Sequence, residues 1–319
     1  VTEAIRTEDL VRVFKVKGLE VRALNGVSIR VRKGNVVALV GPNGAGKTTL
    51  IKILSTLLTP TSGKAYIMGY DVTSQEREVR RSIGLVLTGE RLFYYRLTGY
   101  ENLVFFGSLY NMSLSEVRRR AREVLNMVGL SRWADVQYMK YSLGMQRRLA
   151  LARALMHDPP VLLLDELTLG LDPVSARELR SLLRSLSEDK AVLFTSHYMG
   201  EVEGLADYIY VIKDGRIIAE GTPEELKRLV GKVVEADVPF DLVPRELMRY
   251  VVFVRGGKAR VRAPNDVLSP VNGSAEVLGV SEPTLEDVYA HLVGEDAFEI
   301  DFWSWGRWWG GGWAARWGA

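Results

Sequence analysis

The chain has 319 residues, of which 25% are charged and 47% apolar, and a formal net charge of +3; this is the composition of a folded protein with more than one domain. It has no cysteine and only three histidines, which excludes disulfides, thiol nucleophiles and cysteine-ligated zinc and argues against a histidine-built metal centre. The mild basic balance gives no electrostatic case for nucleic acid, and no stretch approaches the roughly 20 apolar residues of a membrane-spanning helix.

Residues 3–31 are valine-rich with interleaved charges and predict antiparallel strands over Leu10–Val16 and Leu19–Val31. A buried strand is predicted at Val36–Val40. It runs into Gly41-Pro42-Asn43-Gly44-Ala45-Gly46-Lys47-Thr48-Thr49 and then a helix with Ile51, Leu54, Leu57 and Leu58 on one side. That is the strand, glycine loop and helix in which G-x-x-x-x-G-K-[ST] binds phosphate. Glycines let successive N–H groups point inward at a helix N-terminus, forming a nest for anions. Lys47 would reach the β- and γ-phosphates, and the Thr48 hydroxyl would ligate Mg2+. The chain is therefore expected to bind a nucleoside triphosphate.

Strands at Ala65–Met68 and Ile83–Leu87 flank a polar helical piece, Gln75–Arg81. Periodicity turns helical from Thr98 to Gly129, with Ser113-Leu114-Ser115-Glu116 as a helix start, which predicts a helical insertion over about 88–145. Arg118-Arg119-Arg120 is expected on the solvated face of that helix. Helix and strand then alternate through Met145–His157, Val161–Leu164, Ser175–Leu186 and Ala191–Thr195, predicting a parallel sheet covered on both faces. Gly221-Thr222-Pro223-Glu224-Glu225 is a capped helix start. Short valine-rich strands (Val233–Val238, Tyr250–Val254, Ala259–Ala263) and a helix over Pro283–Leu292 follow. The expected division is 1–230 for the nucleotide-binding domain, 231–294 for a small α+β appendage, and 295–319 for a tail. Six of the seven tryptophans lie in that tail among glycines; it is expected to be disordered and is assigned no function.

Val161-Leu162-Leu163-Leu164-Asp165-Glu166 ends a buried strand in two carboxylates. Asp165 can hold the magnesium shell, and Glu166 can polarise an attacking water. At Tyr141-Ser142-Leu143-Gly144-Met145 a serine and a glycine open a helix, an arrangement suited to phosphate.

The ordered series of phosphate loop, serine–glycine helix start, Leu-Leu-Asp-Glu, Gly170-Leu171-Asp172 and Thr195-Ser196-His197 resembles the ATP-binding cassette (ABC) transporter ATPases over about residues 3–230. The resemblance implies an α/β P-loop NTPase core with an N-terminal antiparallel β-subdomain, hydrolysing ATP with Mg2+. It makes Phe14 the aromatic that stacks on adenine, and Ser142 and Gly144 the pair that contacts the γ-phosphate held by the opposite subunit. Asp172 would line the dimer seam, and His197 would contact the γ-phosphate and orient the water and Glu166. Three positions depart from the family pattern. The signature reads YSLGM, Leu167 replaces the usual proline, and Thr88 stands where a glutamine normally touches the metal, leaving Thr88 a weak metal ligand with Glu90 as an alternative. Val86-Leu87-Thr88-Gly89-Glu90-Arg91, the YSLGM signature and the appendage ending in Pro283-Thr284-Leu285-Glu286-Asp287-Val288-Tyr289 resemble the daunorubicin-resistance branch of exporter ATPases. That branch implies a separately encoded ABC-2 type permease, a homodimer closing head-to-tail on two MgATP, no nucleic-acid partner, and a cytoplasmic site on the inner membrane face. The alternative, a soluble ABC ATPase acting on ribosomes or DNA, is disfavoured by the single cassette and the lack of a long heptad run.

Overall fold

The computed structural model describes residues 3–16, 18–87, 93–110, 112–268, 271 and 273–293. Thr88, Glu90 and the tryptophan-rich tail lie outside the described residues. The chain divides into two compact units, Val1–Glu225 and Leu226–Ala319.

The first unit contains two sheets. Strand β1 (Glu3–Val16) pairs antiparallel with β2 (Leu19–Val27), β3 (Arg30–Arg32) and β5 (Ser62–Ile67), and β5 carries the two-residue β6 (Tyr70–Asp71). The second sheet has the order β11-β10-β4-β9-β8-β7. Its parallel strands are β4 (Val36–Val40), β7 (Ile83–Val86), β8 (Val161–Asp165), β9 (Ala191–Ser196) and β10 (Tyr208–Lys213), while β11 (Arg216–Gly221) is antiparallel at one edge. Every residue of β4, β8 and β9 is buried, as continuous apolar strands require when both sheet faces are covered. One apolar core joins the two sheets, with Leu10, Leu24 and Ile67 from the first packed with Leu39, Leu163 and Leu193 from the second.

Register places the chemistry. Val40 lies beside Ser196, and Asp165 beside Thr195, so the carboxyl ends of β4, β9 and β8 are adjacent. In open parallel sheets that edge is where ligands bind.

Helix α1 (Lys47–Leu54) is shorter than predicted: Leu57 and Leu58 lie beyond it, and Leu57 is 57% exposed. The cause is local. Ser55 caps the helix, Thr56 takes a left-handed φ of 63°, and Pro60 follows. Helix α2 (Glu76–Ser82) precedes β7.

The insertion contains α3 (Gly99–Gly107) and α4 (Leu114–Met127) and leads into α5 (Leu143–Ala154). Thr98 and Glu101 form a reciprocal capping box on α3, and the Ser113 hydroxyl caps α4. Asn102, wholly buried, accepts from Tyr94 N and donates to the carbonyls of Tyr94 and Thr98, which fixes the start of the insertion. The arginine cluster does not all face solvent. Arg118 and Arg119 are exposed, but the Arg120 side chain is only 14% exposed and donates to the carbonyls of Leu155 and Met156, satisfying the C-terminal end of α5.

Helices α6 (Pro173–Ser187), α7 (Met199–Glu203) and α8 (Pro223–Arg228) complete the alternation, with Thr222 and Glu225 forming a capping box at α8. In the second unit, β12 (Val233–Pro239), β13 (Val251–Arg255), β14 (Lys258–Pro264) and β15 (Glu276–Ser281) form an antiparallel sheet in the order β13-β14-β12-β15. Its core gathers Val234, Val238, Leu247, Val261 and Ala263, and α9 (Leu285–Val293) follows.

Candidate functional site

The phosphate loop leaves β4 at Gly41 and enters α1 at Gly46. A Cβ at Gly41 would fall 2.1 Å from the Ile212 carbonyl oxygen; one at Gly46 would fall 2.3 Å from that of Ala23, where φ is also +109°. Only glycine fits at either place. Ala45 O accepts from Gly215 N, so the turn of the β10–β11 hairpin supports the loop from behind. Strand β2 walls its other side through Ala23. Phe14 pairs with Val21, two residues along β2 from Ala23, and is half-buried with the Arg12 guanidinium 4.6 Å from its ring centroid.

Lys47 is buried, and its ammonium donates to the carbonyls of Gly41 (2.6 Å) and Pro42 (2.9 Å) within its own loop. Burial pulls its pKa below the ordinary lysine value, opposed by the negative charges of Glu166 and Asp165. The lysine is held where a triphosphate would compete for its protons.

Asp165 ends β8 and is 3% exposed. Its carboxylate accepts from Thr48 Oγ1 at 3.0 and 3.2 Å and from Thr195 Oγ1 at 2.7 Å. A buried carboxylate beside a threonine hydroxyl is a hard-oxygen donor set. It fits Mg2+ that takes its remaining ligands from phosphate and water.

Glu166 leaves the strand with φ at +47°, a left-handed conformation costing a non-glycine residue about 1 kcal/mol. Its N–H donates to Thr195 Oγ1 at 3.0 Å, which holds this turn in place. His197 Nδ1 lies 3.4 Å from Glu166 Oε1, and both side chains are partly buried. Thr195 therefore touches both carboxylate residues. Its position at the end of the strand before His197 was the available signal, but sequence reading gives it no role.

Ser142 and Gly144 lie elsewhere, on α5. Ser142 is exposed, and its hydroxyl accepts from Met145 N as the helix N-cap. A Cβ at Gly144 would fall 3.2 Å from Ser175 Oγ. Asp172 caps α6, accepting from the N–H groups of Val174 and Ser175; the Ser175 hydroxyl, first among its partners, holds its pKa below the usual carboxylate value. The chain therefore brings together Lys47, Thr48, Asp165, Glu166 and His197, and carries the serine-headed helix as a separate exposed feature.

Residues 24–169 match the family described as ABC transporter. The ABC transporter ATP-binding protein NatA of Bacillus subtilis (strain 168) is 38% identical over 223 residues, covering 70% of this chain and 91% of that protein. The daunorubicin resistance ATP-binding protein DrrA2 of Streptomyces coeruleorubidus is 39% identical over 317 residues, covering 91% of this chain and 95% of that one. Among solved structures, a dimeric ATP-binding cassette in a post-hydrolysis state, bound to ADP and Pi, shares 30% identity at a TM-score of 0.63, covering 68% of this chain and 98% of that chain. With the phosphate loop, the paired carboxylates and the histidine assembled at one sheet edge, the chain belongs to the ATP-binding subunits of ABC transporters and is an ATP hydrolase.

Proposed function

We propose that this chain is the motor subunit of an exporter. It would power a separately encoded ABC-2 type permease by closing head-to-tail with a second copy around two MgATP. The carrying observation is the exposed serine-capped start of α5. Such a helix end, rich in free N–H groups, is suited to a phosphate presented from outside its own chain.

In this reading Lys47 exchanges its loop carbonyls for β- and γ-phosphate oxygens, and Gly41–Thr49 cradles the triphosphate with backbone N–H groups. Phe14 would stack on the adenine. Thr48 and Asp165 would hold Mg2+, which neutralises charge on the phosphate oxygens. Thr88 is the further metal-ligand candidate. Glu166 accepts the hydrogen bond of the attacking water and draws its proton, while His197 keeps Glu166 and the γ-phosphate in register. Ser142 and Gly144 of a second copy seal the γ-phosphate, and Asp172 lines the seam. Hydrolysis removes the group that both copies hold, so they part. Nucleotide state then moves the chain because the shared phosphate contacts differ between the two states.

The insertion through α3, α4 and α5 would pass that motion to the permease, placing the subunit on the cytoplasmic face of the membrane. No helix among the described residues is long and apolar enough to cross a membrane. The proposal gives the translocation path to the permease. The resistance function named for the Streptomyces coeruleorubidus relative supports export as the direction. The test is co-expression with a neighbouring polytopic membrane protein and purification in mild detergent. Co-elution and ATPase activity stimulated by the permease are expected. Binding to ribosomes or DNA in place of a membrane partner would contradict the proposal.

A further inference from the structure

Two loops must agree for the site to work: the turn after β8, which carries Glu166, and the turn after β9, which carries His197. One carboxylate ties them together. Glu201, on α7, accepts on a single oxygen from Thr168 Oγ1 at 2.6 Å and from Ser196 Oγ at 3.0 Å. Thr168 is two residues past Glu166, and Ser196 is one residue before His197. Ser196 Oγ in turn accepts from Tyr198 N at 2.9 Å, so the loop is bonded on both sides of the histidine.

The alternative open to the Ser196 hydroxyl is weaker. Ser196 has one proton, and its other acceptor, Tyr198 O, lies at 3.3 Å; the nearer, charged oxygen of Glu201 takes it. Ser196 is 3% exposed, so water gives it little compensation if the carboxylate is removed. The β8 turn is knit onward by Leu169 N to Glu166 O and Leu171 N to Thr168 O. Any displacement of Thr168 is therefore carried back to Glu166. The absence of a proline at Leu167 leaves this turn without the backbone restraint a fixed φ would give, which raises the importance of a side-chain tether.

We infer that Glu201 is a positioning residue for hydrolysis: its carboxylate latches the Thr168 turn to the Ser196 turn and so sets Glu166 against His197. It acts through those two turns, on the placing of Glu166 and His197. The inference rests on the roles of Glu166 and His197 proposed above. Misplacing a catalytic pair by about 1 Å can cost on the order of a hundredfold in rate, so loss of the latch should appear in turnover and not in nucleotide affinity.

The experiment measures steady-state ATPase kinetics of the full chain as wild type, Glu201→Ala, Thr168→Val, the double variant, Glu201→Gln and Glu166→Gln, with ATP affinity by calorimetry and thermal melting on each. Glu201→Ala and Thr168→Val should each lower kcat by about tenfold or more, with KM and ATP affinity within about twofold of wild type. The double variant should be no slower than the slower single one, because both break the same latch. Glu201→Gln keeps an acceptor oxygen and should recover most of the lost rate. Wild-type turnover in Glu201→Ala, or additive losses in the double variant, would overturn the inference. If Glu201→Ala fails to fold, Thr168→Val and Glu201→Gln decide it: wild-type kcat in Thr168→Val, or a Glu201→Gln variant that weakens ATP affinity as much as kcat, overturns it. Glu166→Gln separates the two layers, since full turnover in that variant would remove the assignment of the base itself, whatever Glu201 does.

Discussion

His197 Nδ1 stands 3.4 Å from Glu166 Oε1, with the two side chains 31% and 19% exposed. Neither residue belongs to the phosphate loop, yet the adjacency of β8 and β9 brings their turns together at the sheet edge. His197→Ala should therefore retain ATP affinity and lose about a hundredfold or more in kcat. Single-turnover assays alongside calorimetry check this. A loss of binding with unchanged kcat would place His197 in ground-state recognition instead.

Thr195 offers a sharper test of the local geometry. Its hydroxyl donates to Asp165 and accepts from Glu166 N, so Thr195→Val removes both bonds without changing the side chain's shape much. The orphaned, partly buried N–H should lower stability by about 1–3 kcal/mol. Turnover should fall as well, because the left-handed Glu166 turn loses its tether. Denaturant unfolding and ATPase assays read the two effects separately.

Lys47 predicts a pH dependence. Burial depresses its pKa below 10.5, so the ammonium loses its proton at a lower pH than an ordinary lysine. In the free folded chain the unfolded state binds more protons across this window, so the cost of burying the charge is present below the folded pKa and relieved above it. Triphosphate favours the charged form, so ATP affinity should fall as pH rises through the lowered pKa, and binding there should take up a proton. Calorimetry in buffers of different ionisation enthalpy measures the uptake. Lys47→Ala should abolish binding at every pH.

The end of α5 is fastened by charge. Lys190, 9% exposed, donates to Asp158 at 2.7 Å and to Pro159 O at 3.0 Å, and Arg120 reaches Asp158 at 3.3 Å. The Lys190 hydrogen bond, first among the causes, holds Asp158 below the usual carboxylate range. A depressed carboxylate contributes stability above its unfolded pKa and loses it as pH falls through the folded one. Asp158→Asn should therefore lower the melting temperature at neutral pH, by an amount corresponding to about 1 kcal/mol since its side chain is largely exposed. The difference from wild type should vanish in acid. Equal melting temperatures at neutral pH would show that Lys190 is satisfied without it.

Much of this site is legible in the chain because it is built from local patterns. The glycine loop, the apolar run ending in Asp165-Glu166 and the cap at Ser113 each depend on residues a few positions apart, and all occur where the pattern puts them. The strand pattern read above stops short of the β10–β11 hairpin, although Asp214-Gly215 between apolar runs is a recognised turn signal, and both residues take the positive φ such a turn needs. Other features depend on tertiary contact and leave no local trace. Arg120 reads as a solvated helix residue until the end of α5 supplies its carbonyls, and the Thr168–Glu201 bond joins residues 33 positions apart, invisible to any periodicity. Strand β15 has no such signal either. All six of its residues are exposed, so it carries no burial pattern to read.

Whether a second copy completes each site is read from the Glu166→Gln variant, which should bind ATP without turning it over. Light scattering of this variant, with and without saturating MgATP, measures whether nucleotide pairs the chains. The mass should double from 35.7 kDa with ATP and return to the monomer value when ATP is removed. A monomer at saturating ATP, with binding confirmed by calorimetry, would contradict it.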